Sequence, residues 1–298
     1  MPDQRISGDM ATIDPGNGSD PDGAERLRSA ESLLCAARDA LRVERRRTVD
    51  EREAFEAFRS RVRGISAEAT ATTGAGPAAE AGTVTAAAPD PSRLRGTTGT
   101  TGPGLVAIRN AYEETVMSVP HYDEEYNDTY ERSLAEEFGP ELALALTREP
   151  TLHERYRSSL LAKTTEAIRR RDELVGIVES ESSSVSRARE DLSPIVEEVE
   201  TVSRREFEAE RFGALDAYRA RLNVLAGTCD EIAARRQEER IDGERSANVA
   251  GIVSDVQAYL YRELPVTYPV LAAVAAVGGR IESVRLDVER AMIHAESS

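Results

Sequence analysis

The sequence has little of what an enzyme pocket is usually built from. Its 298 residues include no Trp, 5 Phe, 3 His and 2 Cys. It shows no βαβ pattern, and the phosphate-binding patterns G-x-x-x-x-G-K-[ST] and G-x-G-x-x-G are absent. Nucleophilic catalysis needs a nucleophile beside a base, and no such pair can be assembled from the residues. We therefore predict a protein without enzymatic activity, catalytic residues or a cofactor.

Cysteine usage and apolar runs exclude two further classes of protein. Cys35 and Cys229 lie outside any Cys-x-x-Cys pair, and each lies within an apolar helical pattern, so we expect two buried free thiols. The first residues lack the apolar run of a signal peptide. The most apolar stretch, 264–279, is shorter than the roughly 20 residues that cross a bilayer. These features predict a cytoplasmic protein without a membrane span.

Acidic residues outnumber basic ones in the chain as a whole. The chain has 54 Asp and Glu against 38 Lys and Arg, a formal net charge of -16, and Lys163 is its single lysine. Such a surface stays hydrated in molar salt, where the Debye length falls to about 3 Å, so it indicates a salt-rich cytoplasm. A GC-rich genome favours arginine codons and gives the same bias, and both causes can act together. Because this net charge repels phosphates, we expect no nucleic-acid binding.

Composition divides the chain into four regions. Residues 1–23 are rich in Asp, Gly and Pro and predict a disordered tail. Residues 24–65 carry a heptad repeat. Residues 66–103 contain mainly Ala, Gly, Thr and Pro without periodicity, which predicts a flexible linker. Residues 104–296 show helical periodicity interrupted by prolines and glycines, which predicts a helical domain.

The heptad repeat of residues 24–65 keeps one phase over six heptads, which is typical of a coiled-coil helix. Its two registers are Leu27, Leu34, Leu41, Thr48, Phe55 and Val62, and Ala30, Ala37, Glu44, Glu51, Phe58 and Ile65. The polar members in the middle either fix the register or meet arginines of another helix. The segment has 11 Arg against 8 Asp and Glu, whereas 104–150 has 3 Arg against 11. Their opposite charge favours pairing, either within one chain or between chains.

Two more heptad sets lie in the C-terminal half. The first covers 174–202 and passes Pro194, where we expect a kink or a helix restart. The second covers 215–232 in a shifted phase, so a stutter or a turn lies between them. We expect Thr151 to cap the long helix and Gly243 to interrupt the later pattern. Together these patterns predict an all-α fold, an elongated antiparallel helical hairpin or bundle with coiled-coil heptads.

Three strings carry a resemblance to a known family: MSVPHYDEEYNDTYERSLAEEFGPELA, LAGTCDEIAARRQ and YLYRELPVTYPVLAAVAAVGGRIESVR. Over roughly Leu105 to Met292, the chain resembles an uncharacterised helical family of halophilic archaea, catalogued as a domain of unknown function. PHYDEEY and EFGP are the most specific parts. The resemblance implies a helical, coiled-coil-bearing cytoplasmic protein of salt-loving cells. It implies no activity, and the tail and the linker lie outside it.

One set of residues has the chemistry of a metal site. His121, Glu125 and Asp128 are spaced by four and three, which would put them on one helical face. The alternative structural interpretation is that the acids of this segment lie at a helix N-terminus, where the helix dipole favours negative charge.

The same segment also offers residues for contact with a protein partner. Tyr122, Tyr126 and Tyr130 are spaced by four, and Glu124 lies among them. They form either a recognition surface or a packing stripe inside the protein. Further upstream, the basic block Arg45 to Arg47 alternates with acids, which favours a solvated helix face with intrahelical ion pairs over a DNA contact.

The sequence leaves two classes of function. We expect a structural or interaction protein, a scaffold or adaptor whose amphipathic helices associate with a second copy of the chain or with an unidentified protein partner. The alternative is a regulatory module that binds a metal or small ligand at the acidic, tyrosine-rich segment 120–130. An acidic mimic of nucleic acid that blocks a basic protein is a third interpretation.

Overall fold

The computed structural model describes residues 21–67, 102–250 and 255–296. Within these ranges all regular secondary structure is helical, which confirms the predicted all-α class. The helices are α1 Pro21–Gly64, α2 Pro103–Glu113, α3 Tyr122–Glu125, α4 Tyr130–Phe138, α5 Pro140–Arg148, α6 Glu154–Ser203, α7 Phe212–Ala250, α8 Val256–Leu260 and α9 Pro269–Glu296. Short 3-10 helices lie at Val116–Ser118 and Phe207–Ala209. The predicted tail (1–23) and linker (66–103) lie almost wholly outside the described residues.

Helix α1 buries the face that its heptads predict. It begins at Pro21 rather than Ala24, because proline is tolerated in the first turn, where the missing N–H would have no helical partner. Every member of the first register is buried: Leu27, Leu34, Leu41, Thr48, Phe55 and Val62. The second register is buried at Ala30, Ala37, Glu44 and Phe58 and partly buried at Glu51 and Ile65. The period of seven therefore identifies the inward side of this helix.

The long helix α6 begins later than the sequence predicts. Its first backbone bonds run from Tyr156 N and Arg157 N to the carbonyl of His153, so the helix begins at Glu154 and Thr151 does not cap it. It continues through Pro194 to Ser203 as one helix, so of the two alternatives expected at this proline, a kink or a restart, the restart does not occur.

The helix after α6 also differs from expectation at its far end. A turn with a 3-10 helix separates α6 from α7, which settles the choice between a stutter and a turn. Helix α7 passes through Gly243 and reaches Ala250, so this glycine does not interrupt it. A single glycine inside a helix lowers the stability of the helix by only about 1 kcal/mol relative to alanine, which is too little to end a long helix.

The chain divides into two compact units. The terminal unit consists of Met1–Asp39, Ser183–Ile241 and Tyr261–Ser298, and the central unit of Ala40–Ser182 and Asp242–Leu260. In the terminal unit, α6 and α7 are joined by the ion pairs Arg187–Glu239, Asp191–Arg235 and Glu198–Arg221.

Aromatic side chains fill the core of the central unit. Phe58 packs edge-on against Tyr112 with ring centroids 5.2 Å apart, and Phe55 contacts Tyr112 and Phe138 in the same way. Edge-to-face pairs of this kind contribute about 0.5–1.5 kcal/mol each beyond the burial of their area. Gly139 separates α4 from α5 at a φ of 90°, a backbone conformation that favours glycine. The core thereby fixes α1 against α2, α4 and α5.

The two cysteines differ in exposure, so the expectation of two buried thiols is wrong for Cys35. Leu34 and Ala37 occupy the buried heptad positions, and Cys35 lies beside them on the outer side of α1. Cys229 is buried, as predicted, and burial raises the pKa of its thiol to about 11. In the described part of the chain, no helix is both long enough and apolar enough to span a membrane.

We predict that the two thiols react at very different rates with iodoacetamide at pH 8. Cys35 is exposed, whereas Cys229 is buried and its raised pKa keeps it protonated, so Cys35 should react at least about tenfold faster. Peptide mass spectrometry of timed samples measures both rates, with C35S as the control that removes the rapid phase. Equal rates in the folded protein would contradict the placement of Cys229.

Candidate functional site

A polar network surrounds Glu51, a heptad position on the inward side of α1. Its Oε1 accepts a hydrogen bond from the hydroxyl of Tyr126 at 2.9 Å and lies 3.1 Å from Nε2 of His121. Its Oε2 accepts a hydrogen bond from Nε of Arg171 at 2.8 Å. One carboxylate therefore joins α1 to the segment around α3 and to α6. We call Glu51, His121, Glu125, Tyr126 and Arg171 the polar cluster.

The segment that carries His121 is held in place by short local structures. Helix α3 is a single turn, Tyr122–Glu125, which begins as Tyr122 N bonds the carbonyl of Val119. It ends before Asn127, whose φ of 43° lies in the left-handed region that asparagine tolerates better than most residues. Thr129 then caps α4 by accepting a hydrogen bond from the backbone N–H of Arg132. The turn presents His121 and Glu125 on the side of α1.

Arg171 connects the polar cluster to the aromatic core. Its guanidinium contacts the carboxylates of Glu51 and Glu137 and lies 4.2 Å from the ring centroid of Phe55. Burial alone would lower the pKa of Arg171, but the charges of Glu137 and Glu51 outweigh burial and raise it. A cation that is buried, paired with carboxylates and stacked on a ring is permanently charged and geometrically fixed.

Tyrosine hydroxyls lie inside the same region. Burial raises the pKa of Tyr126, and the neighbouring Glu51 carboxylate raises it further. The hydroxyl of Tyr112 forms a 2.8 Å hydrogen bond with that of Ser133, and burial raises the pKa of Tyr112. These phenols therefore stay protonated at neutral pH, and the hydroxyl of Tyr126 donates to Glu51, whereas either hydroxyl can be the donor in the Tyr112–Ser133 pair.

The basic block of α1 forms ion pairs with other helices. Arg45 contacts Glu179 of α6 at 2.8 Å, and Arg47 contacts Glu125 of α3. Further along the same helix, outside the basic block, Arg61 forms a third ion pair, with Glu114. The prediction of intrahelical pairs for this block is therefore wrong for Arg45 and Arg47, because carboxylates of neighbouring helices lie within reach. Two of these pairs join the basic helix to the acidic segment 104–150 within one chain.

The structure brings together two of the three residues of the predicted metal site. Donor atoms of His121, Glu125 and Glu51 all lie within 4.8 Å of one another. Asp128 is not in this group, because α3 ends at Glu125 and Asp128 lies in the following loop, where it forms a 3.0 Å ion pair with Arg132. The expected single helical face for all three residues does not exist. The sequence analysis did not include Glu51 in the metal site. The one sequence feature that could have indicated it is an acid at a heptad core position.

The predicted partner-binding residues differ in accessibility. Tyr122 and Tyr130 are buried, the first beside Tyr126 and the second beside Tyr112. Glu124 and Tyr126 are exposed. The spacing of four does not produce one stripe, because Tyr122 and Tyr130 belong to different helices. Only Glu124 and Tyr126 offer surface to a partner.

The model of one known protein family covers most of the chain. The model of a domain of unknown function (DUF7260) matches residues 32–285. The chain belongs to this family. The matched range contains the whole polar cluster and begins within α1, so the DUF7260 domain extends further toward the N-terminus than the resemblance over Leu105 to Met292 implies. No curated protein and no solved structure matches the chain.

We predict that Glu51→Gln lowers the free energy of unfolding of this DUF7260 domain by about 2–4 kcal/mol, because Arg171 loses a charged partner in a site that water barely reaches. Urea unfolding followed by circular dichroism measures the loss. The matched control is Glu53→Gln on the same helix, where the side chain is exposed and the change should cost less than about 0.5 kcal/mol. Equal stability of the two variants would contradict the structural role of Glu51.

Proposed function

We propose that this DUF7260 protein is a non-enzymatic scaffold or adaptor that associates through the outward faces of its helices. The observation that carries the proposal is a stripe on α9. Leu286 and Ile293 are 45% and 65% exposed and lie seven residues apart. Exposed small residues, Ala275 and Gly279, continue the same face of the helix. We call these four residues the α9 stripe.

The α9 stripe differs from the inward side of the same helix. Val277, Ile281, Val284 and Val288 are all buried, so they supply the packing that α9 needs within its unit. The outer row is exposed among the residues that the structure describes, so it adds little to the packing seen there. Apolar residues repeated every seven positions are the pattern by which helices pair side by side.

The polar cluster supports a structural role for the interior. Both oxygens of Glu51 are occupied by donors from other elements, and Arg171 is held by two carboxylates. Side chains that form hydrogen bonds and ion pairs to several elements hold those elements together. These contacts join α1, α6 and the turn of α3, and a group that links three elements supports a structural role.

The proposal includes an antiparallel helical hairpin with coiled-coil character. The ion pairs between α6 and α7 support this layout, because their residue numbers rise along one helix and fall along the other, as in Arg187–Glu239 and Glu198–Arg221. The buried heptad registers of α1 support the coiled-coil character.

A salt-rich cytoplasm is the environment that we propose for this protein. The net charge of -16 favours it. Molar salt screens charges but leaves apolar contacts intact, so self-association through the α9 stripe is suited to that solvent.

A second surface for a protein partner is the exposed part of the acidic segment, Glu124 and Tyr126. Tyr126 belongs to the polar cluster and is 46% exposed, and Glu124, two residues earlier in the chain, is exposed as well. Deletion of 104–150 would not test this surface, because Leu105, Tyr112 and Leu134 from that segment are part of the core. Point substitutions keep the fold and change the surface alone.

We predict that the chain forms a dimer through the α9 stripe. Light scattering in 2 M KCl should give twice the chain mass of 32.5 kDa, and Leu286→Glu should return it to the mass of one chain, because a buried carboxylate opposes the contact. The control is Val224→Glu, a change at an aliphatic residue of α7 that is 56% exposed, which should leave the mass unchanged. A monomer at all protein concentrations, or equal effects of both changes, would overturn this assignment.

We also predict that a protein partner binds at Glu124 and Tyr126. Purification of the tagged chain from its own cells in native salt should recover a partner in stoichiometric amount, and Glu124→Arg should lose it by reversing the local charge. Glu53→Arg makes the same charge change at an exposed position of α1 and should retain the partner. Retention by both variants would place the docking surface elsewhere.

A further inference from the structure

We propose that Glu51, His121 and Glu125 bind a divalent first-row transition-metal ion. One imidazole nitrogen and two carboxylates offer donor atoms within 4.8 Å of one another, from α1 and from the turn of α3. The proposal is independent of the scaffold function, because it rests on the chemistry of three side chains and not on a surface.

The separation of the donors fits ligands of a single ion. Transition ions bind histidine nitrogen and carboxylate oxygen at about 2.0–2.2 Å, so two donors of one ion lie about 2.9–3.5 Å apart. Nε2 of His121 and Oε1 of Glu51 are 3.1 Å apart. Glu125 belongs to the same turn as His121, and its carboxylate lies within 4.8 Å of the other two donors.

Other side chains hold the ligands in position. Arg171 binds the Oε2 atom of Glu51 and leaves Oε1 directed at His121. The hydroxyl of Tyr126 donates to the same Oε1. Partners of this kind orient metal ligands in known sites, where carboxylate and imidazole ligands are themselves hydrogen-bonded.

Burial and charge favour an ion at this point. His121 is 6% exposed, whereas the side chains of Glu51 and Glu125 are 15% and 20% exposed, so the donors are largely removed from water but can be reached from it. The segment 104–150, with 3 Arg against 11 Asp and Glu, attracts cations. Arg47, which contacts Glu125, and Arg171, which contacts Glu51, are the positive charges that oppose the ion.

The donor set selects the class of ion. Magnesium and calcium prefer sites made of oxygen alone, whereas imidazole with carboxylates suits zinc, cobalt, manganese and iron. We therefore expect zinc and cobalt to bind and magnesium to have no effect at the same concentration.

Titration of the intact chain with Zn²⁺ by calorimetry, and with Co²⁺ by visible absorption, tests the site. One equivalent should bind, and His121→Gln and Glu125→Gln should each weaken binding at least tenfold. Asp128→Asn is the matched control, since it removes the same charge as Glu125→Gln from an acid that is paired with Arg132. It should change affinity less than about twofold.

One further variant distinguishes a site from general attraction to acids. Arg47→Gln removes the competing cation beside Glu125 and should tighten Zn²⁺ binding severalfold. Thermal unfolding of each variant without metal identifies any that fail to fold. The proposal is overturned if the unmodified chain binds no Zn²⁺, if His121→Gln binds as tightly, or if Asp128→Asn weakens binding as much as Glu125→Gln.

Discussion

The carboxylate of Glu51, at a heptad core position of α1, is the group on which the central unit depends. Water barely reaches it, and a carboxylate removed from water is destabilising unless charged or polar donors surround it. Arg171, His121 and Tyr126 supply those donors from two other elements. Helix α3 is a single turn with one buried side chain, Tyr122, and the directional polar contacts add to that burial in setting its position against α1.

Arg171 extends this constraint into the apolar core. Its guanidinium lies over the ring of Phe55, and that ring packs edge-on against Tyr112 and Phe138. A shift of the polar cluster would therefore disturb the aromatic core, and a repacked core would move the arginine away from Glu51. Polar pairs restrict geometry more tightly than apolar contacts, because hydrogen bonds weaken steeply with misalignment. The two kinds of contact together specify one arrangement of the helices.

Much of the fold could be predicted from periodicity, and only part of the candidate site. The heptads of α1 identified its buried face. The helical face expected for His121, Glu125 and Asp128 is not formed, because α3 ends at Glu125 and Asn127 has a left-handed backbone. Glu51 lies far from His121 in sequence, and no local pattern connects residues that meet only through the tertiary fold. Its position as an acid on the inward side of a helix was the single available signal.

The polar residues of α1 also solve a problem that heptads create. A repeat of seven allows a helix to slip by one heptad and still bury an apolar row, so periodicity alone leaves the register open. A slip in one direction would place Glu51 where Phe58 now contacts Tyr112, and a charge would enter the aromatic core without a partner. A slip in the other direction would place Phe58 opposite Arg171, which would then lose the Glu51 acceptor. The first slip also places Ala37 where Glu44 now accepts a hydrogen bond from the hydroxyl of Tyr259, so that acceptor is lost. The polar positions reduce the apolar area that α1 buries. In return, they make the other heptad registers unfavourable, so α1 has a single register.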